Sequence, residues 1–183
     1  MKILVVSTQL MLLPPTSYGG LEIIAHDLAE GLVERGHEVY VLAPDGSRGS
    51  YKVITPCMPS PGNPEILAYD AIKPALRDFD VISDHSWQAH VYLAKRDEPK
   101  LRIVHTLHGW EPYHANPVSK PCWVCPSRVH AEHTERVLGT KAEVVYHGID
   151  LKRHAYSGTK SPEDYLLYMG RIVDFKGARE FVE

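Results

Sequence analysis

Four places along the chain combine residue types and spacings that can do chemistry. Gly19-Gly20 stands where a polar loop gives way to a helical pattern. A helix N-terminus offers unpaired backbone N–H groups and a partial positive charge, and glycine lets a phosphate come close to that backbone. Thr106-Leu107-His108-Gly109 follows a short apolar run, and an imidazole there can donate to a sugar hydroxyl or stabilise developing charge. Asp84-His85, with Trp87 just beyond, joins polar groups to an aromatic face, a combination that suits carbohydrate. Gly170-Arg171 and Lys176-Gly177 bracket a short segment. Arginine clamps phosphate through paired hydrogen bonds and lysine adds a point charge, so this pair suits a diphosphate.

Each cluster also has a plainer reading that the residues alone leave open. The glycine pair makes an ordinary loop-to-helix turn equally well, and no G-x-G-x-x-G dinucleotide fingerprint lies between Ser7 and Gly20. His108 also suits the end of a strand, His85 and Trp87 suit a core, and two basic residues suit a solvated surface. His105 and His108 would point to opposite faces of an extended strand, which argues against a shared metal. Cys122-x-x-Cys125 has no second C-x-x-C to complete a zinc site, so both are expected as small buried strand residues with neither zinc nor a disulfide. His26, His37, His90, His114, His130, His133 and His154 show no metal-ligand spacing and are expected on solvated faces. No metal site is expected.

The elements that must position these groups alternate. Lys2-Ile3-Leu4-Val5-Val6-Ser7 is a branched apolar run, as expected for a strand covered on both faces in a parallel sheet. Leu21, Ile24, Ala25, Leu28, Ala29, Leu32 and Val33 recur at helical spacing and predict a helix with that face buried. Gly36 ends it, and residues 37–43 form the second strand. Strands follow at 51–55, 80–83, 101–105, 122–125 and 142–146, with helices at 65–79, 86–95 and 127–138, the last capped by Ser127 and closed by Gly139. This alternation predicts an α/β fold, a doubly wound parallel sheet. His108 and Asp84 then fall at the carboxyl edge, where open α/β sheets bind ligands. The expected organisation is a Rossmann-like domain over 1–150, a polar linker over 151–163 and, over 164–183, the first strand and helix of a second domain.

Composition narrows the classes. The 183 residues suffice for one domain with a substantial core, and 44% hydrophobic with 23% charged residues are the proportions of a soluble globular protein. No apolar run is long enough to span a bilayer, and the opening run is too short for a signal-peptide core. A cytoplasmic location is the default expectation. A formal charge of -3, from 20 basic and 23 acidic residues, gives no reason to expect nucleic acid. Three cysteines make an odd count, which points to a reducing compartment rather than a disulfide framework.

Taken in order, Tyr18-Gly19-Gly20-Leu21-Glu22, the run from Leu28-Ala29-Glu30 to Gly36-His37-Glu38-Val39, Asp80-Val81-Ile82 with Asp84-His85, Thr106-Leu107-His108-Gly109, Tyr146-His147-Gly148-Ile149-Asp150, and Gly170-Arg171 with Lys176-Gly177 resemble the family 4 retaining glycosyltransferases. The resemblance covers essentially the whole chain. It implies the GT-B architecture, two Rossmann-like domains facing a cleft, with acceptor mainly on the first and nucleotide sugar mainly on the second. It also implies transfer of a hexosyl group from a nucleoside-diphosphate sugar to a carbohydrate, lipid or small-molecule acceptor, with configuration retained and no metal or other cofactor required. Peripheral membrane association follows if the acceptor is a lipid.

Under the resemblance, Gly19 and Gly20 meet the donor diphosphate, His108 contacts the transferred sugar, and Arg171 and Lys176 hold the diphosphate. Acceptor recognition falls to Asp84, His85 and Trp87 with the loops over 8–18 and 110–121. His147 stands where the family usually has asparagine. The family's glutamate motif for donor ribose and sugar lies beyond Lys176-Gly177, so these residues by themselves are expected to be inactive. Two other readings remain: a catalytically inert sugar- or acceptor-binding module, and a GT-B sugar-nucleotide epimerase.

Overall fold

The computed structural model describes residues 1–56, 62–109, 122–156, 158 and 164–182. They form two compact units, Met1–Asp150 and Leu151–Glu183.

In the first unit the apolar runs become β1 (Lys2–Val6), β2 (Glu38–Leu42), β3 (Lys52–Ile54), β4 (Val81–Asp84), β5 (Ile103–Thr106), β6 (Cys122–Cys125) and β7 (Ala142–Val144). They make one seven-stranded sheet in the order β3-β2-β1-β4-β5-β6-β7, with every pair parallel. The period of two in a strand sorts their side chains. Leu4, Val6, Leu42, Ile82 and Ile103 pack on one face with Ala68, Tyr69, Ile72, Val91 and Tyr92. Val5, Val39 and Val41 pack on the other with Ala25, Ala29 and Leu13. Burial on both faces is why these strands read as continuous apolar runs rather than as alternating ones.

Helix α1 (Gly20–Glu34) buries Leu21, Glu22, Ala25 and Ala29, a narrower stripe than the sequence predicts. Leu28 is exposed and Ile24 and Leu32 are half-buried, because the small side chains of Ala25 and Ala29 form the contact line and the bulkier residues flank it. Gly36, at φ 78°, supplies the left-handed step after the helix. Helix α2 (Pro64–Ile72) begins where the Asn63 side chain accepts the Glu65 amide. It tightens to a 3-10 turn over Lys73–Asp78, where Pro74 removes a backbone donor. The helix expected over 86–95 is replaced by bends, a 3-10 turn at His90–Leu93 and the single turn α3 (Ala94–Asp97). The polar groups of Glu65 and Ser86 hold the 87–89 backbone in a different path, described below. Helix α4 (Arg128–Leu138) has its expected caps, Ser127 Oγ accepting from His130 N and Gly139 in the left-handed region.

In the second unit residues 164–169 form no strand. Extended residues make a strand only when a neighbour satisfies their backbone groups, and Leu166, Leu167 and Met169 lie exposed. A 3-10 turn, Asp174–Lys176, leads through Gly177 to the short helix α5 (Ala178–Val182). Among the described residues no helix is long and apolar enough to cross a membrane.

Candidate functional site

The chain builds outward from β1 through β2 to β3, then returns to start β4 on the other side of β1. Neighbouring connections therefore diverge between β1 and β4, and in open α/β sheets the crevice outside the carboxyl ends of such a pair is the usual ligand site. Because the strands are parallel, that edge carries Ser7 to Gln9 after β1, Asp84 to Trp87 at β4, and Leu107 to Gly109 after β5. The crossover from β1 to β2 brings the start of α1, with Gly19 and Gly20, to the same edge.

Gly19 and Gly20 are glycines for different reasons. A Cβ on Gly19 would lie 2.5 Å from Pro15 Cβ, a collision within the protein, whereas a Cβ on Gly20 would meet nothing within 4 Å. Just inside the helix, Glu22 is buried and accepts a hydrogen bond from Thr8 Oγ1 at 2.5 Å, which ties the loop after β1 to the first turn of α1.

At the ends of β4 and β5 the strand period separates two pairs. Asp84 and His105 stand opposite each other in the ladder and point into the core, where Asp84 Oδ2 lies 3.1 Å from His105 Nδ1. The His105 ring meets Trp123 edge-on, and Trp123 in turn stacks on Tyr92. Burial alone pushes the Asp84 carboxyl up, but the adjacent His105 and the Ser86 hydrogen bonds outweigh it and hold Asp84 below the usual carboxylate range. On the other face His85, 2% exposed, places Nε2 3.1 Å from Ser83 Oγ and Nδ1 2.9 Å from His108 Nε2. His108 is half-buried and stacks on His147 with ring centroids 5.2 Å apart. Burial, with His105 and His147 adding to it against Asp84, lowers the His85 pKa to about 4. Burial and the surrounding imidazoles of His85, His147, His105 and His130 lower that of His108 to about 2. At neutral pH both rings are uncharged, so their chemistry is hydrogen bonding rather than cation stabilisation.

Trp87 is aimed chiefly by a group the sequence reading passed over. Glu65, buried at the second position of α2, accepts from the Trp87 and Gln88 amides at 3.0 and 2.9 Å. Asp84 Oδ1 accepts from Ser86 N, and Ser86 Oγ accepts from Ala89 N. The turn so clamped puts Ala89 at φ 51°, a left-handed conformation that costs a non-glycine residue about 1–2 kcal/mol. The indole, 39% exposed, lies against Gly109, where a Cβ would come within 3.2 Å of Trp87 Cζ3. Gly109 thus makes room for Trp87 beside His108. The signal for Glu65 was Asn63-Pro64-Glu65, legible as a helix start but not as a clamp on a turn more than twenty residues away.

Some expected placements differ. Asp84 is fully buried, facing His105 and Ser86 rather than the surface, because an even position in β4 points inward. His130 is buried rather than solvated, since it lies on the inner face of α4 with Ala131 and Thr134. Cys122 is exposed, with only Cys125 buried; three positions apart in a strand they face opposite ways. Among the described residues no group of three potential ligands is arranged to hold a metal. His114 and the whole 110–121 loop lie outside the described residues. In the second unit Arg171 and Lys176 come together around one ring, with the Arg171 guanidinium carbon and Lys176 Nζ each 5.7 Å from the Phe175 centroid. The Tyr168 hydroxyl donates to the Arg171 and Lys176 carbonyls at 2.8 and 3.3 Å, which pins both ends of that segment.

The sequence model of Glycosyltransferase Family 4 matches residues 18–153. The chain belongs to glycosyltransferase family 4. Among solved structures this family 4 chain is similar to AviGT4, a glycosyltransferase involved in avilamycin A biosynthesis, at 27% identity and a TM-score of 0.66, over 97% of this chain and 51% of that one. It shares its fold with sucrose-phosphate synthase from Thermosynechococcus elongatus, at 14% identity and a TM-score of 0.60, over 83% of this chain and 49% of that one. It shares it also with Anabaena HepE, solved with UDP and glucose, at 19% identity and a TM-score of 0.56, over 83% and 46% of the two chains. The family 4 chain spans about half the length of these structures. Comparison with curated proteins gives no match.

Proposed function

We propose that this family 4 chain is the acceptor-side part of a retaining glycosyltransferase that moves a hexosyl group from a nucleoside-diphosphate sugar to an acceptor hydroxyl. The observation that carries the reading is the neutral His108, held beside the half-exposed Trp87 at the carboxyl edge of a sheet belonging to this family. The reaction breaks the bond between the anomeric carbon and the diphosphate, so its main demand is stabilisation of the leaving oxygen. Arg171 and Lys176, in the second unit, are cations of the type that charge calls for. In the first unit, the first turn of α1 has backbone N–H groups that Gly20 leaves open to approach. Groups of either kind can meet the demand with no metal in the step. His108 binds a hydroxyl of the transferred sugar, and Trp87 offers an apolar face to an acceptor. Asp84 and His85 act on the acceptor side from beneath, through the Ser86 turn and through His108. The donor nucleoside and the rest of the sugar need contacts that Arg171 and Lys176 do not provide, so the 183 residues alone turn over slowly or not at all.

The test is a panel of UDP-, GDP- and ADP-sugars assayed with this chain and with a version carrying a donor-binding half. The longer protein should transfer sugar, and His108→Ala in it should lower kcat/KM on the order of 100-fold, with Arg171→Ala reducing it similarly. Undiminished transfer by both variants refutes these roles, and equal transfer by the short chain refutes the need for a second half.

A further inference from the structure

We propose that His85 is a positioning residue that fixes the tautomer of His108, so that His108 presents an unprotonated Nδ1, a hydrogen-bond acceptor, to a ligand hydroxyl. Three groups lie in line: Ser83 Oγ, then His85 through Nε2 at 3.1 Å, then His108 through His85 Nδ1 and His108 Nε2 at 2.9 Å. A neutral imidazole has one N–H and one bare nitrogen. If His85 carries its proton on Nε2, it donates to Ser83, and its bare Nδ1 accepts from His108 Nε2–H. His108 Nδ1 is then bare. In the opposite sense Ser83 donates, His85 carries Nδ1–H, and His108 becomes an Nδ1–H donor. Any mixed arrangement sets two N–H groups or two lone pairs against each other at 2.9 Å, so the rings share two joint states and cannot switch independently.

The first state is favoured. It uses on both rings the Nε2–H form that free neutral histidine prefers, and it leaves the proton of the half-exposed Ser83 hydroxyl free to turn to water. The lowered pKa values of both rings keep each at a single proton through the neutral range. The tautomer of one ring nitrogen being set by the hydrogen bond of the other is general imidazole chemistry; here it extends across two rings. The chemical consequence is selectivity. A hydroxyl can donate to the bare Nδ1, whereas a carbonyl, carboxylate or phosphate oxygen cannot. That this hydroxyl belongs to a sugar rests on the function proposed above; the tautomer itself does not.

Long-range proton–nitrogen correlation spectra of the chain, with ¹⁵N-labelled imidazoles at neutral pH, read the tautomers directly. Both His85 and His108 should be Nε2–H. Ser83→Ala strips the buried His85 Nε2–H of its acceptor, a penalty that offsets the intrinsic preference for the first state, and should convert both rings together to a mixture. A role in packing alone would leave His108 unchanged two hydrogen bonds away. His85→Ala should also release His108 to a mixture, and His85→Asn, whose amide oxygen replaces the accepting Nδ1, should restore Nε2–H. An Nδ1–H form of His108 in the unaltered protein, or one fixed form in Ser83→Ala, overturns the proposal. With a donor-binding half attached, His85→Ala should lower kcat/KM roughly tenfold and His85→Asn restore it. The expected spectra with undiminished transfer by His108→Ala would sink the functional reading and leave tautomer control standing. Unmoved spectra with reduced transfer would do the reverse.

Discussion

Two pairs of side chains sit at the ends of the same two strands and have opposite characters. Asp84 and His105 turn inward, join a carboxylate to an imidazole and are closed over by Trp123 and Tyr92. His85 and His108 turn to the other face, join two uncharged imidazoles and reach the surface through His108. One residue of register separates a pair that holds the edge together from a pair that can meet a ligand. The difference shows that a polar residue at a strand's carboxyl end is not thereby a ligand contact. The face of the strand decides.

The sharpest way to break this contrast is to remove the inner carboxylate. Asp84→Ala leaves His105 buried without its partner and frees the Ser86 amide, and each buried polar group left unsatisfied costs about 1–3 kcal/mol. Urea unfolding should show a loss of that size, whereas His108→Ala should change stability by much less. Comparable losses for both variants would erase the distinction.

Acid should act on the outer pair. A histidine whose pKa falls on folding takes up its proton more readily in the unfolded chain, so stability is full above about pH 6.5 and falls with pH below it. For His85 the loss runs down to about 4 and for His108 toward about 2. Each ring contributes at most about 1.4 kcal/mol per pH unit in its window. Unfolding free energies measured between pH 6 and 5 should decline by up to about twice that per pH unit, the two rings together, and His85→Asn should remove roughly half of the decline. An unaltered slope in the variant would mean that other groups carry the acid sensitivity.

The smallest effect concerns the turn between the pairs. Ala89→Gly relieves a left-handed residue, a gain of up to about 1 kcal/mol, and should raise the melting temperature slightly. A fall in melting temperature would show that the methyl group's packing in the core outweighs the strain.

The sheet was legible because its strands are covered on both faces and appear as apolar runs, and α4 because Ser127 and Gly139 mark its ends. The path of residues 86–95 was not, since it depends on Glu65 reaching two backbone amides, an interaction with no local pattern. His108 and Gly109 were visible as a motif, but the reason for the glycine, contact with the Trp87 indole, is tertiary. Likewise His85 could be flagged as polar at an edge, while its hydrogen bond to His108 follows from the register of β4 against β5. The strand expected at 165–170 shows the limit of apolar patterning: Tyr165 to Met169 have the composition, and composition supplies no neighbour to pair with.

The open space above Gly20 separates two questions that usually arrive together. At Gly19 a substitution would disturb the fold and the site at once, because its Cβ would collide with Pro15. At position 20 the chain itself has no objection to a methyl group, and alanine is the better helix former. Any activity lost through that one methyl group would have to be lost to something arriving from outside, which makes Gly20 a gauge of how closely a ligand approaches the helix, uncontaminated by folding.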